Sequence, residues 1–431
     1  MSCRHYELAS AGCDGGFTVD ASRVTFGHGV LGEIGARASA LGLRRVAVFT
    51  DPQVRMQPWF AAAIASVTVD HAIYDAVAIE PTDVSFEDAG RFARDGKFDG
   101  YLSIGGGSVM DTCKAAALLA TYPAPLRTYL NAPVGDARPV PGPLPPHLAC
   151  PTTSGTGSEV TGFAICTWSS RHAKTAIASP RLRPTEAIVD PRVAITQPEG
   201  VVAASGMDVL CHAVESYTAR RYTHRPIATP VIARPLSQGA NPWSDVGCRE
   251  ALRLLDAYLV RAVVDANDHE AREQMMWAAT LAGIAFGNAG VHVPHAMAYA
   301  IGGGVKSYRP DGYPDAPLVP HGMAVALAAP AVFRHTAATS PVRHLEAATL
   351  LGARTVGAAL EDGGELLATR VVELMRAIGI PNGTAAVGYT RADLALLVEG
   401  VMPQQRLLTN APCEITRDTL GELFTQAEHY W

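Results

Sequence analysis

The sequence predicts an α/β N-terminal part, with an open and doubly wound parallel sheet, followed by an all-α C-terminal part. Three observations carry this. Short apolar, β-branched runs alternate with helical segments as far as residue 197, the texture of successive βα units. Two of those runs lead directly into loops of small residues, Gly105-Gly106-Gly107-Ser108 and residues 152–159. Beyond residue 197 strand signals nearly vanish, and apolar faces such as Leu252, Leu255, Leu259 and Val263, or Leu367, Val371, Leu374 and Ile378, recur at helical spacing. The domains are therefore placed at 1–197 and 198–431.

Taken in order, residues 45–51 form a buried strand ending in an acid, Asp51, with a helix over 58–67 and a short strand over 72–74. A helix over 85–95 precedes a clear strand over 99–104, which runs into the triple glycine; a helix over 109–119 follows. After a proline-rich connection come strands over 147–150, 163–167 and 187–190. In the second part, two long loops rich in proline and glycine, 222–245 and 302–318, interrupt the helices and are long enough to be functional.

The composition bounds the function. The chain has 431 residues, 48% of them apolar, and a net charge of −6, enough for a large core and with no basic run to hold a phosphate backbone. Nucleic acid is excluded on that ground. No apolar run is long enough to span a bilayer, since residues 323–333 are interrupted by Pro330. The eight cysteines are scattered without a C-x-x-C pair, which reads as reduced thiols. The first residues show neither a secretory core nor an amphipathic targeting pattern, so the expected location is cytoplasmic.

Two kinds of chemistry are visible. Asp208 and His212 are four residues apart in a helical segment and leave the same face, half of a divalent-metal site. A helix-terminal Asp and a core histidine are the plain alternative. His295 and His321 lie in apolar, small-residue surroundings where an imidazole is expensive unless something uses it. The glycine loop at residues 105–108, between a strand and a helix, exposes N–H groups suited to a diphosphate. The loop at 152–159 adds hydroxyls. Asp51, at a strand end, suits a ribose 2′-hydroxyl and would repel a 2′-phosphate, favouring NAD over NADP; capping of the next turn is its alternative role.

With these residues in hand, the chain resembles the iron-containing alcohol dehydrogenase family over nearly its whole length. The motifs GGGSVMD, PTTSGTGSE, GMDVLCHAVES, VPHAMAY and VPHGMAVAL carry the resemblance, in that order. Within the family it is most similar to the hydroxyacid-oxoacid transhydrogenases, through EPTDVSF, the insertion RPLSQGANPWSD and NGTAAVGYT. The resemblance implies a Rossmann-like domain followed by a helical one, and Fe2+ or Zn2+ held by Asp208, His212, His295 and His321, with His292 competing for the third place. It implies NAD lined by Asp51, Gly105, Gly106, Gly107, Ser108, Asp111, Thr152, Thr153, Ser158 and Lys174. Tyr299 stands where many members have a further histidine, and takes that catalytic place.

The implied reaction moves a hydride from a hydroxyacid such as 4-hydroxybutyrate, through tightly bound NAD, to an oxoacid such as 2-oxoglutarate. A conventional NAD-dependent alcohol dehydrogenase with exchangeable cofactor is the alternative. Carboxylate substrates need a cation, for which Arg234 is the first candidate and Lys306 and Arg309 are the others. A homo-oligomer, dimer or larger, is expected.

Overall fold

The computed structural model describes residues 8–171, 173–231 and 233–431. They form two compact units, Ala21–Gln197, and residues 8–20 together with Pro198–Trp431. The N-terminal stretch read for targeting, with Cys3, lies outside the described residues, as does Ile232 beside Arg234.

The strands of the first unit are β1 (Arg23–Phe26), β2 (Arg45–Phe49), β3 (Asp70–Tyr74), β4 (Gly100–Gly105), β5 (His147–Pro151), β6 (Phe163–Trp168), β7 (Ala173–Ala178) and β8 (Glu186–Val189). Its helices are α1 (Ile34–Ala40), α2 (Pro52–Arg55), α3 (Pro58–Ala65), α4 (Asp83–Gly96) and α5 (Gly107–Thr121). Six strands pair in parallel in the order β1-β8-β5-β4-β2-β3. Strands β4 and β5 are buried at every position, as apolar runs covered on both faces must be. The chain builds outward from β2 to β3, then returns to the other side of β2 for β4, so the order reverses there. Ligands of such sheets bind at the carboxyl ends of strands near a reversal. Gly105 at the end of β4 pairs with Pro151 at the end of β5, which brings the two small-residue loops side by side.

Two differences from expectation have physical reasons. The strand over 163–167 is not in the main sheet: β6 pairs antiparallel with β7, from Phe163 opposite Ala178 to Trp168 opposite Ala173. Both β7 (AKTAIA) and the half-exposed β1 (RVTF) escape a periodicity search, being short and weakly apolar. Helix α5 is buried on almost all sides, including Asp111 and Lys114, so it shows no polar face.

The second unit holds α6 (Glu199–Thr218), α7 (Pro242–Val264), α8 (His269–Ala289), α9 (Val293–Gly303) and α10 (His321–Thr336). Then follow α11 (Pro341–Leu350), α12 (Gly363–Ala377), α13 (Leu394–Val401), α14 (Gln405–Leu408) and α15 (Arg417–Gln426). Helix α6 is the axis of this unit, packed against α7, α8, α10 and α11. From Gly206 to Thr218 every residue of it is buried. No described helix is long and apolar enough to cross a membrane. The seven cysteines among the described residues are all free thiols.

Candidate metal centre and nucleotide loops

Asp208 and His212, one turn apart on α6, are both buried and turn toward one point. That point is Asp208 Oδ1. The Nε2 atoms of His212, His295 and His321 stand 3.6, 3.5 and 3.9 Å from it. Ligand atoms of Asp208, His295 and His321 all lie within 4.8 Å of one another. His295 comes from the first turn of α9, and His321 from the first residue of α10, after Pro320. The approach of α10 to α6 depends on Gly322, where a Cβ would meet the Ala204 carbonyl oxygen at 2.0 Å. The His212 ring is clamped between Phe286, stacked at 4.0 Å, and His295 at 4.8 Å.

Glu215 separates the roles of the two neighbouring histidines. Fully buried on α6, it accepts from the His292 backbone N–H at 2.6 Å through Oε2, and from His295 Nδ1 at 2.6 Å through Oε1. The second bond places the proton of His295 on Nδ1 and leaves Nε2 facing Asp208, the arrangement of a carboxylate–histidine–metal relay. His292 is not a turn away on the same helix. It is the cap residue before α9, outside the helix, and its Nε2 lies 3.2 Å from Thr218 Oγ1. Its ring is thus directed away from the cluster.

Burial opposes ionisation of Asp208, yet His212, His321 and His295 outweigh it and hold the carboxyl below the usual range. Burial lowers His212 to about 4. Burial works against a proton on His295 as well, but Glu215 and Asp208 prevail and raise it to about 9. Two buried carboxylates therefore favour positive charge between them. Asp208 Oδ1 and His295 Nε2 are buried and make no hydrogen bond among the described residues. Such atoms are costly unless something satisfies them. A carboxylate oxygen and imidazole nitrogens are a donor set that accepts Fe2+ or Zn2+.

In the sheet unit, Gly106 caps α5 and, having no side chain, leaves the first N–H groups at the positive end of that helix without a side-chain cap. Gly107 is glycine because a Cβ would strike the Thr156 side chain at 2.6 Å, and Gly106 faces Thr153 at 3.3 Å. The loops interlock, with Gly106, Ser108 and Thr153 half-buried at their surface. Ser108 Oγ accepts from the Glu80 N–H at 3.2 Å, and Glu80 also pairs with Lys174. Thr152 is buried and its N–H bonds Gly105, joining the loops. Asp51 Oδ1 caps α2 through Gln53 and Val54, each at 2.9 Å.

Asp111 and Ser158 face inward. Ser158 Oγ donates to Asp111 Oδ1 at 2.5 Å, and Ile165 N–H donates to Oδ2 at 3.0 Å. Lys114 Nζ completes the knot, donating to Ser158 O, Ser158 Oγ and Phe163 O at 2.7, 2.6 and 2.8 Å. These residues shape the hydroxyl loop from beneath. Lys114 escaped the sequence reading, although its place one turn after Asp111 in a Gly-Ser loop helix is a usable signal. Glu215 escaped too, one turn beyond His212 on the same helix face.

Arg234 requires a correction. Its Nε and Nη2 bond Asp14 Oδ2 and Oδ1 at 2.8 and 3.2 Å, and Arg225 holds the same carboxylate at 2.9 Å. A guanidinium whose Nε and Nη2 edge is already forked onto a carboxylate does not offer that edge to a second. Lys306 pairs with Asp393 and Arg309 with Asp315. The Tyr299 ring, on α9, is 5.9 Å from that of His321.

Comparison with known proteins agrees with this geometry. The family model for iron-containing alcohol dehydrogenase matches residues 21–191, and that for the C-terminal part of the Fe-containing alcohol dehydrogenase family matches 232–428. The chain is 46% identical over 414 residues to the mitochondrial hydroxyacid-oxoacid transhydrogenase of Xenopus tropicalis, covering 95% of this chain and 89% of that protein. The structure of 1,3-propanediol oxidoreductase superposes with a TM-score of 0.83 at 28% identity, covering 96% of this chain and 100% of that one. Sulfoacetaldehyde reductase from Bifidobacterium kashiwanohense, in complex with NAD+, gives 0.77 at 26%, covering 96% and 99%. The mitochondrial naming of the relative overturns the cytoplasmic expectation. Free thiols report a reducing medium, and say nothing of which membrane encloses it.

Proposed function

Because the chain belongs to the iron-containing alcohol dehydrogenase family, matched by family models over residues 21–191 and 232–428, we propose that it is a hydroxyacid-oxoacid transhydrogenase. A hydride leaves a hydroxyacid such as 4-hydroxybutyrate and is delivered to an oxoacid such as 2-oxoglutarate. The observation that carries the chemistry is the convergence of three imidazole Nε2 atoms on Asp208 Oδ1, with buried atoms that have no other use. A divalent ion supplies Lewis acidity toward the oxygen on the reacting carbon, and NAD supplies the hydride carrier.

The chain's residues have these assignments. Asp208, His212, His295 and His321 hold the ion, Fe2+ or Zn2+; Glu215 fixes the His295 tautomer through Nδ1. His321 is the more accessible ligand, its side chain 21% exposed against 4% for His295, so substrate enters on its side. Tyr299, beside His321, relays the proton: its phenol passes its own proton on toward solvent as it accepts the hydroxyl proton in the oxidising half, and the reducing half runs the reverse. The N–H groups of Gly107 and Ser108 receive the NAD diphosphate at the start of α5, with Gly105, Gly106 and Thr153 shaping the approach and Lys174 placed by Glu80. The Asp51 carboxylate opposes a 2′-phosphate and selects NAD. Residues 21–197 thus form the NAD domain, and the helical unit the metal and substrate domain. Assembly into a dimer or larger is part of the same proposal, and a monomer by sedimentation at micromolar concentration would remove it.

Metal-loaded, desalted protein given 4-hydroxybutyrate and 2-oxoglutarate, without added NAD, tests the reading. Steady formation of 2-hydroxyglutarate, with NAD(H) released stoichiometrically on denaturation, supports it. Activity only with added NAD assigns the chain instead to the conventional dehydrogenases of the family.

A further inference from the structure

Among the described residues, three other than glycine hold a left-handed backbone: Glu80, Lys97 and Ala137, with φ of 57°, 51° and 50°. Two of them close a helix or a loop. Lys97 is the C-cap of α4, the ordinary place for such a residue, and the Ala137 N–H returns to the Leu130 carbonyl at 2.9 Å. Glu80 ends no helix. It precedes Pro81, and a proline drives the residue before it toward extended backbone, so the conformation is costly on two counts. A costly conformation persists only where its surroundings impose it, and such residues gather at ligand sites.

The surroundings of Glu80 do impose it. Downstream, the chain is tied to β6 and to the start of α4: the Thr167 N–H donates to the Pro81 carbonyl at 2.8 Å, and Thr82 and Ser85 cap the helix reciprocally. Glu80 itself contacts two residues of the proposed NAD site. Its N–H donates to Ser108 Oγ at 3.2 Å, and its carboxylate pairs with Lys174 on β7, whose side chain is 6% exposed. The first contact has a chemical consequence. A hydroxyl has a single proton to give, and accepting the Glu80 N–H leaves that proton for an acceptor. Ser108 is the second residue of α5, at the positive end of the helix, where an oxygen of a diphosphate would be that acceptor.

We propose that Glu80 is a positioning residue for the cofactor. Its left-handed backbone, locked by the ion pair with Lys174, commits Ser108 Oγ as an acceptor and so makes the hydroxyl a donor to the NAD diphosphate. This rests on the NAD site assigned above and adds a reason for tight cofactor retention, because a hydrogen bond to a charged group is among the stronger ones. Lys174 then acts on the diphosphate through Glu80, its own charge being balanced by the carboxylate.

The test follows NADH release by nicotinamide fluorescence, after excess NAD+ is added to metal-loaded protein carrying NADH, and the affinity for ADP by competition. Ser108→Ala and Glu80→Ala should each speed release about 10- to 100-fold and weaken ADP by a similar factor, the range for a lost charge-assisted bond. Alanine keeps the N–H and the left-handed penalty but lacks the carboxylate that locks the backbone. Glycine has no such penalty, so Glu80→Gly should stay within about fivefold of wild type. Lys174→Met should resemble Glu80→Ala, and should have no further effect when added to Glu80→Gly. A merely structural role for the side chain would make alanine and glycine alike. Equal release from those two variants, an effect on NADH without one on ADP, or a further loss in the double variant overturns the proposal. So does wild-type release from Ser108→Ala, which removes only a hydroxyl and covers poor folding at residue 80. A wild type that binds neither NADH nor ADP overturns the NAD reading instead, a distinguishable result.

Discussion

Substituting Gly322 tests the metal centre without replacing a ligand. A methyl at this position would lie 2.0 Å from the Ala204 carbonyl oxygen and 2.8 Å from Asp208 Cβ. Ordinary contact begins near 3.4 Å, so α10 must withdraw from α6 by about 1.4 Å. Neither obstacle is the end of a flexible side chain; one is backbone, and the other is the root of the Asp208 carboxylate. His321 immediately precedes Gly322 and must move with it. Metal–ligand distances tolerate only about 0.2 Å, so the withdrawal takes His321 out of reach. Gly322→Ala should therefore weaken divalent-ion binding by about 100-fold or more. Overpacking should also cost about 1–3 kcal/mol of stability in the metal-free protein. Competition for Zn2+ against a chromophoric chelator reads the first effect, and urea unfolding the second. Gly421→Ala is the control: its added methyl has nothing within 4 Å, so the substitution should be neutral or stabilise by up to about 1 kcal/mol. Wild-type affinity and stability in Gly322→Ala would refute the close approach of α10 to Asp208.

Three further outcomes are expected. His295→Ala should abolish high-affinity ion binding, whereas His292→Ala should lower unfolding stability and leave affinity within about tenfold; Glu215→Gln should weaken affinity by about 10- to 100-fold. Equal effects of the two histidine variants in the chelator assay would reverse their assignment. Lys114→Met should destabilise the protein by about 3–5 kcal/mol, because Asp111 is left as an unpaired buried acid; adding Asp111→Leu should restore much of that, as measured by denaturant midpoints. Asp14 is held at about 2, below its ordinary 3.8, chiefly by the Arg234 hydrogen bond, with burial opposing. A depressed acid contributes stability that is whole above about 3.8 and lost as pH falls through about 2. Asp14→Asn should flatten the fall of the urea midpoint across that window; an unchanged slope removes this role.

How much of the site is legible in the sequence depends on how far apart the partners lie. Asp208 and His212 are one turn apart, and helical geometry alone places them on one face. The choice between His292 and His295 is not local, because it is made by Glu215 through bonds spanning 77 and 80 residues. Even so, Glu215 lies on the same α6 face, and a search for a carboxylate one turn beyond a ligand histidine finds it. Arg234 shows the opposite case. Its polar loop invites a substrate role, and what cancels that role is Asp14, 220 residues earlier, in a stretch that packs with the helical unit. Asp111 and Ser158 sit in the right motifs yet face inward, since the buried Lys114 turns them into a support for the loops that were expected to present them to NAD.

Gly322 marks the limit of local reading. Nothing in VPHGMAVAL distinguishes it from a glycine that merely starts a helix, for its φ is ordinary and its only demand is space. That demand comes from Ala204, whose carbonyl α10 must approach within a distance no side chain permits. Periodicity reveals residues that act along one element, while those that act across elements appear only once the fold has joined them. For this chain, the second group contains the features that decide which ligand histidine is used and how closely α10 approaches Asp208.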